Sequence, residues 1–526
     1  MAQELKSVSV SQPGFFGINT QENGVGLDVS WASEAYNCII SNDGGMECRK
    51  GWQPVSDLVS GEPRAVQLHE FISGSGVTEI HSAWDDNVIR KGTDTLTDIS
   101  PVVAPTAANW KFINFNNNSY AFQLNQDPLE YTGSGVYTKI SAGSGFLDSG
   151  DAVITTMKPN ECLAAFGRLW VADAANNRAK VWWSDALLGR QWSGGSAGSL
   201  DLRSVLTRGM DTITALRAWN GNLVIFCTEN ILIYAGAAVP SGMTLVENIS
   251  GLGCVARDSI QEIGTDLIFL SKSGVRSLGR SIQEKSLPIS DFSKNVRNQL
   301  HNYVATGDMA KARSVYSEEN AFYLLTLPSP SYASWFTFCF DLRRPLDDGS
   351  YRVTVWTGLN PSAFLQSRNS ILYIGQRGYI GEYRGYLDNA SSYQMTYYTT
   401  WIDFSVAQEH FSKISQNYGS FIKILKRLDS TITTNGATVI TFKWYFDFGV
   451  TAFTNQVITE SSIEIAEYGS AEYGLAEYSS GGQTFGMSCT LAGSGKTMKI
   501  GMEASIQGAR VELQRMDVLA KLGRMT

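Results

Sequence analysis

A chain of 526 residues, 43% hydrophobic and with a formal net charge of -8, can bury a sizeable core but is too long for one ordinary domain. Its interspersed charges exclude tight binding to a nucleic-acid backbone through neutralised phosphates, although an acidic wall would let a duplex slide past without sticking. Fifty Gly, 22 Tyr, 24 Phe and 13 Trp favour strands and tight turns, so the reading is all-β.

Met1 to Gln12 is polar and lacks the apolar core of a signal peptide, which makes folding in a cytoplasm the default expectation. Cys38 and Cys48 flank the turn signal Asn42-Asp43-Gly44-Gly45 and can face each other across a hairpin. A disulfide there is disfavoured, because the implied compartment is reducing. The seven cysteines include no CxxC pair, as a metal or redox motif would require.

From residue 85 onward a polar turn rich in Asn, Gly or Asp recurs, each time followed by a short apolar strand. It occurs at Asp85-Asp86-Asn87-Val88-Ile89, Asn117-Asn118-Ser119-Tyr120-Ala121-Phe122, Gly167-Arg168-Leu169-Trp170-Val171 and Asn220-Gly221-Asn222-Leu223-Val224-Ile225-Phe226. It continues at Gly264-Thr265-Asp266-Leu267-Ile268-Phe269-Leu270, Glu319-Asn320-Ala321-Phe322-Tyr323-Leu324 and Arg368-Asn369-Ser370-Ile371-Leu372-Tyr373-Ile374. The spacing is about 47 residues, close to one four-stranded propeller blade. One such sheet cannot bury both its faces, whereas radial stacking covers them, so a β-propeller-like body of about seven blades is expected. Ordinary sandwich hairpins share this turn chemistry but seldom persist over so long a stretch.

The most apolar stretch, Leu223 to Val239, is broken by Thr228, Glu229 and Asn230, and reads as two strands around a turn rather than a membrane anchor. After Pro288 and a capping Ser290, Phe292, Val296, Leu300, Tyr303 and Val304 fall on one helical face that Gly307 closes, predicting a packing helix between blades.

Beyond about Asp388 the blade spacing is lost. Ile440, Phe442, Trp444, Phe446 and Phe448 alternate with more polar residues, and Asn435-Gly436 supplies a two-residue hairpin turn. The expected organisation is an N-terminal arm and hairpin over 1–60, a propeller over 61–390 and a C-terminal β domain over 391–526, the two ends forming a platform. Inside the last segment a repeat runs Ala466-Glu467-Tyr468-Gly469-Ser470, Ala471-Glu472-Tyr473-Gly474-Leu475, Ala476-Glu477-Tyr478-Ser479-Ser480. This acidic, aromatic composition suits an exposed loop that packs on a partner, or one that is simply solvated.

Catalytic patterns mostly fail. Gly493-Ser494-Gly495-Lys496-Thr497 looks like the end of a phosphate loop, yet Thr490 stands where the first glycine belongs, and Met498-Lys499-Ile500-Gly501-Met502 reads as a strand. His69, His81, His301 and His410 are scattered and are expected at surfaces or interfaces. Dinucleotide and nucleophile-elbow patterns are absent, so neither a cofactor nor catalysis is expected. Ser184-Asp185 lacks the rest of a sialidase turn, and Asp341, Asp347 and Asp348 near Arg343 and Arg344 read as a solvated loop with surface ion pairs. A propeller glycosidase, which needs paired carboxylates, or a lectin acting on host glycans remains the alternative.

The order of several segments resembles the tail nozzle proteins of short-tailed bacteriophages, also called tail tubular protein B or packaged-DNA stabilisation protein. The segments are Phe16-Gly17-Ile18-Asn19-Thr20, the stretch from Asn37 through Asp43-Gly44-Gly45 to Arg49-Lys50-Gly51-Trp52, and Trp183-Ser184-Asp185 with Trp192. Further likeness runs from Thr212-Ile213-Thr214-Ala215-Leu216 through Leu223–Phe226 to Ile231–Gly236. The most specific block is Gly253-Cys254-Val255, Ser259 and Gly264 through Leu278, so the resemblance covers residues 15 to about 280. It implies a non-enzymatic virion component, assembled in the bacterial cytoplasm, that forms a ring, typically a hexamer, below the portal and the tail adaptor. Such a ring retains packaged DNA and conducts it into the host, with a tail fibre, tailspike or needle as a further partner. Ring closure needs a head-to-tail contact between neighbours. Phe15 and Phe16 on the arm, and Tyr468, Tyr473 and Tyr478 in the repeat, are the candidate anchors. Glu467, Glu472 and Glu477 are candidates for an acidic channel or loop.

Overall fold

The computed structural model describes residues 8–9, 15–24, 27–42, 44–140, 158–206, 210–284, 291–329, 335–404, 408–409, 412–415, 419–459 and 483–525. Among them, six small antiparallel sheets and four antiparallel strands of a larger sheet form the seven successive blades of a propeller. Blade 1 comprises Ala65–Ile72, Thr78–Trp84, Ile89–Lys91 and Thr97–Asp98; blade 2, Lys111–Phe115, Asn118–Phe122, Leu129–Tyr131 and Thr138–Lys139. Blade 3 comprises Pro159–Ala165, Arg168–Ala174, Asn177–Trp183 and Gly198–Asp201; blade 4, Ile213–Trp219, Asn222–Cys227, Asn230–Ala235 and Thr244–Ser250. Blade 5 has three strands, Gln261–Ile263, Asp266–Ser271 and Gly274–Ser277. Blade 6 comprises Arg313–Ser317, Phe322–Pro328, Trp335–Asp341 and Arg352–Trp356. Blade 7 contains Ala363–Gln366, Leu372–Gly375 and Ile380–Tyr383, and takes its outer strand, Trp52–Pro54, from the N-terminal segment.

Turn chemistry explains the first hairpin of most blades. Asn116-Asn117, Phe166-Gly167 and Asn220-Gly221 are two-residue loops with positive φ at both positions, the geometry whose twist matches paired strands. Each leads into a second strand that is buried almost throughout, such as Asn222–Cys227 and Asp266–Ser271, because neighbouring blades cover both faces. In blades 2 to 7 the predicted turn joins the first and second strands. In blade 1, Asp85-Asp86-Asn87 instead joins the second and third, so that signal is one strand out of phase. Both turns use the same chemistry, here the Val88 N–H donating to the Asp86 carboxylate and a positive φ at Asn87.

The first strands of the blades lie side by side. Lys111–Phe115 touches Ala65–Ile72 and Pro159–Ala165, Pro159–Ala165 touches Ile213–Trp219, and Gln261–Ile263 touches Arg313–Ser317. Ala363–Gln366 meets Ala65–Ile72 and closes the circle. Closure is sealed by the pairing of Trp52 with Tyr383 and of Pro54 with Gly381. The Trp52 ring packs so closely on Gly381 that any Cβ there would collide with it.

Two helices fill the space between blades 5 and 6: α1 (Leu278–Glu284) and α2 (Arg297–Thr306). The predicted helix exists but starts later than expected, after a 3-10 turn at Lys294–Val296, and Phe292 precedes it. Val296 takes the cap position without a side-chain hydrogen bond, and the expected cap, Ser290, lies outside the described residues. Phe292, Val296 and Leu300 are buried in the largest core cluster, with Tyr303 and Val304 packed against it.

The platform grows from the outer edge of blade 6. Arg352–Trp356 pairs in parallel with Ala32–Tyr36, and the sheet continues through Tyr393–Thr399, Met498–Ile506 and Thr438–Phe446 to Phe453–Thr459, nine strands in all. A second sheet runs through Cys38–Ile40, Met46–Cys48, Val511–Met525, Phe421–Thr434 and Gln483–Thr490. Both sheets contribute inward side chains to one core: Ile440, Phe442, Trp444 and Met502 from the first, Leu428, Ile432, Leu513 and Val518 from the second. Asn435-Gly436 is therefore not a hairpin turn. It carries the chain from one sheet to the other, because Phe421–Thr434 is already paired on both sides. Cys38 and Cys48 do face each other in register, and both are free, buried thiols.

Candidate functional site

Where the first strands converge, charged side chains from several blades meet. Arg257 and Asp258 come from the 3-10 turn before blade 5, while Lys111 and Arg313 open the first strands of blades 2 and 6. The Asp258 carboxylate receives Arg257 Nη2 at 2.9 Å, Arg313 Nη1 at 3.3 Å and Lys111 Nζ at 3.4 Å. Arg313 also donates from Nε to the Val66 carbonyl of blade 1 at 3.0 Å and from Nη2 to Asn109 Oδ1 at 2.7 Å. Arg257 Nη1 reaches the Asn160 carbonyl of blade 3 at 2.9 Å. Beside them, Glu161 accepts from Arg217 Nη1 of blade 4 at 3.0 Å.

Side-chain exposure is 8% for Asp258, 6% for Arg257 and 3% for Arg313. Burial raises the Asp258 pKa, but the charges of Arg257, Lys111 and Arg313 outweigh it and hold this carboxyl well below the usual range. Burial pulls Arg313 down to about 10, an effect that Asp258 opposes and Arg257 reinforces. A carboxylate held ionised and saturated by cations is a poor proton shuttle, but it ties separate blades together. Where these strands converge, the chain's own charges are thus paired with one another. No local spacing marks this network, since Lys111 and Arg313 lie far along the chain from Arg257 and Asp258 in the Gly253–Ser259 block. The block's other residues have structural partners: Ser259 Oγ donates to the Ala256 carbonyl and accepts from Leu270 N, and Tyr323 donates to the Ser259 carbonyl.

Exposed His301 meets the expectation of a surface position, whereas His69 and His81 correct it. His69 and His81 are opposite one another on the first two strands of blade 1. His69 stacks on Phe112, and fully buried His81 stacks on Phe71 and meets Tyr131 and Tyr137 edge-on. Burial, with a smaller push from His81, lowers His69 to about 3; burial lowers His81 to about 4 against the pull of Glu79. His301 has its Nδ1 near the Lys272 carbonyl, and His410 lies outside the described residues. A period of two on adjacent strands was the available signal, but the register that pairs them was not legible.

The platform sheet ends in the hairpin of Thr438–Phe446 and Phe453–Thr459, of which Phe453–Thr459 is the edge strand. Val439 and Ile458 pair across it and both are exposed; Phe448 and Phe453 are also exposed, and Val450 is 94% so. The chain leaves this edge strand at Thr459 and re-enters the second sheet at Gln483. Tyr468, Tyr473, Tyr478, Glu467, Glu472 and Glu477 fall between these points, outside the described residues. Phe15 is corrected as a contact candidate: at 8% exposure it packs in the chain's own core. Phe16 is half-buried against Trp31, with ring centroids 5.6 Å apart. In the loop at Gly493–Thr497, the Lys496 and Thr497 amides donate to Asp447 at 2.8 and 2.9 Å, so an internal carboxylate occupies the position a phosphate would need. Asp341, expected in a solvated loop, is buried, and Arg343 ties it to the Ile40 carbonyl and Asn42.

No family model matches the chain, and no curated protein does. Among solved structures, the chain is similar to the extracellular domain of a protein described as a hybrid two-component system from B. thetaiotaomicron, at 11% identity and a TM-score of 0.36. That match covers 66% of this chain and only 41% of the other. The WD40 domain of Neurospora crassa Pan2 is similar at 10% identity and a TM-score of 0.36, covering 65% and 98%. An exo-beta-1,3-galactanase from Phanerochaete chrysosporium is similar at 9% and 0.28, covering 90% and 100%. Likenesses of this order say nothing of what this chain binds. No helix among the described residues is long and apolar enough to cross a membrane.

Proposed function

We propose that this chain is a non-enzymatic wall segment of a phage tail, a nozzle subunit that assembles with copies of itself into a ring, as a hexamer, beneath the portal and adaptor. The observation that carries the reading is the division of labour between propeller and platform. In the propeller the Arg257–Asp258–Arg313–Lys111 network satisfies its charges internally, whereas the platform ends in an edge hairpin exposing Val439, Phe448, Val450, Phe453 and Ile458. An exposed apolar sheet edge is a liability for a lone chain and an asset for an assembling one.

The acidic tyrosine repeat, which lies in sequence between Phe453–Thr459 and Gln483–Thr490, is the companion contact. DNA passes through the ring formed by the subunits, past walls of net negative charge, not through any propeller. The work is steric and electrostatic, and it needs no cofactor.

The test is mass in solution, with particle reconstruction of the chain mixed with its tail adaptor. A closed ring with the platform hairpin at the subunit boundary is expected. A chain that stays monomeric under both conditions overturns the reading.

A further inference from the structure

The Trp183–Trp192 segment belongs neither to the axis nor to the platform edge, yet its hydrogen bonds build one wall of a separate cavity. Ser184 Oγ accepts from Leu169 N, the Asp185 carboxylate accepts from the Ala186 and Ser196 amides, and the buried Trp192 indole donates to the Gly189 carbonyl at 2.9 Å. These bonds hold residues 186–191 as a loop of blade 3 standing against blade 2. Between this loop and Asn116, Asn118, Tyr120, Glu130 and Thr132 lies an open cleft of about 630 Å³.

Its charge balance limits what it can take. Glu130 Oε2 accepts from Arg190, while Oε1 accepts from Asn118 Nδ2 at 2.9 Å and Tyr120 OH at 2.8 Å. The carboxylate and the guanidinium that line the cleft are therefore already paired. A phosphate or nucleic acid would meet a neutralised arginine, and a cation would meet a saturated carboxylate. The remaining polar lining, Asn116, Thr132, Gln191 and Ser193, carries amides and hydroxyls. Such groups both donate and accept, which suits a neutral ligand rich in hydroxyls.

The loop also displays leucine at a position that resists it. Leu187 has φ 58°, a conformation costly for a bulky residue, yet the residue is 61% exposed. Its backbone is locked on both sides: its N–H donates to the Gly167 carbonyl at 2.9 Å, and its carbonyl accepts from Asn116 Nδ2 at 3.0 Å. Leu188 beside it is 48% exposed. Glycine would serve this backbone better, so the apolar side chains at the rim have a use outside the chain's own packing.

We infer that the cleft between blades 2 and 3 binds a neutral oligosaccharide. Sugar hydroxyls exchange hydrogen bonds with the amide and hydroxyl lining, and Leu187 and Leu188 cover a C–H face of the ring. A peptide would need apolar pockets for alternating side chains, and the lining offers side-chain amides instead. The inference is independent of ring formation, since a monomer presents the same cleft.

The test is calorimetric titration of the full chain with maltohexaose, cellohexaose and mannohexaose, with a neutral hexapeptide and inorganic phosphate as comparison probes. Saturable binding of a hexaose is expected. Leu187→Gly should keep or raise the melting temperature while weakening that binding by ~10-fold or more, and Gln191→Ala, which removes a lining amide, should weaken it similarly. The inference is overturned if no hexaose binds the native chain, if both variants bind as tightly as the parent, or if the peptide or phosphate binds in preference.

Discussion

The Arg49 guanidinium lies bidentate on the Asp388 carboxylate, with Nη1 2.9 Å from Oδ1 and Nη2 2.6 Å from Oδ2, and the arginine side chain is fully buried. Arg49 Nε also donates to Asn37 Oδ1 at 3.1 Å, and the guanidinium sits 4.1 Å from the Tyr393 ring centroid. The pair joins the segment leading into the closing strand Trp52–Pro54 to the segment that leaves the last strand of blade 7, Ile380–Tyr383, so it locks propeller closure to the platform. Asp388→Ala leaves a buried cation without its partner and should cost about 3–5 kcal/mol in urea unfolding. A loss below about 1 kcal/mol would show that closure does not depend on the pair.

The axis network predicts an asymmetry between its members. Asp258→Asn removes the carboxylate shared by Arg257, Arg313 and Lys111, and should destabilise by about 3–5 kcal/mol. Lys111→Met, which removes the most exposed of the three cations and relieves repulsion, should cost less than Asp258→Asn by denaturant titration. The reverse order would mean that the carboxylate is not the hub.

Acid sensitivity follows from blade 1. His69 and His81 stay neutral in the folded chain down to about pH 3 and 4, whereas in the unfolded chain they protonate near 6.5. Between these values the unfolded chain binds more protons, so stability falls as pH drops below about 6.5, by at most about 1.4 kcal/mol per pH unit for each histidine. The pair titrates as a unit in surroundings that include Glu79, Lys91, Lys111, Tyr131 and Tyr137. Melting temperatures between pH 7 and 5 should show the slope, and His81→Phe, which keeps the stack on Phe71, should make it shallower.

All seven cysteines are buried and free. Burial pushes the Cys38 thiol well above its ordinary value and Cys48 up to about 12, so neither is a thiolate at neutral pH. Iodoacetamide at pH 8 should label none of the seven in the native chain and all of them after unfolding in guanidinium. Rapid native labelling of Cys38 or Cys48 would contradict the buried hairpin.

For the platform edge, Ile458→Lys places a charge on the exposed strand opposite Val439. Ring assembly should be lost by light scattering while monomer stability stays within about 0.5 kcal/mol of the parent. Rings that form normally would move the subunit contact elsewhere.

Sequence alone determined the local layer: the turns at Asn117, Gly167, Asn220, Gly264, Asn320 and Asn369, the apolar strands after them, and hence a count of about seven blades. These features are legible because a tight turn with positive φ restricts which residues can stand there, within a few positions of chain. The pairing of Cys38 with Cys48 was legible for the same reason, being confined to one short hairpin. Only the tertiary structure decided that Trp52–Pro54 completes blade 7, that blade 6 continues into the platform sheet, and that Asn435-Gly436 crosses between sheets instead of closing a hairpin. It also decided that His69 faces His81 and that Asp258, beside Arg257 in the chain, gathers Lys111 and Arg313 from two other blades. The pairings of closing strand, platform and axis join residues distant in the chain, and the His69–His81 pair depends on strand register. No local spacing encodes either, because burial and charge are shared only after the blades have closed into a ring.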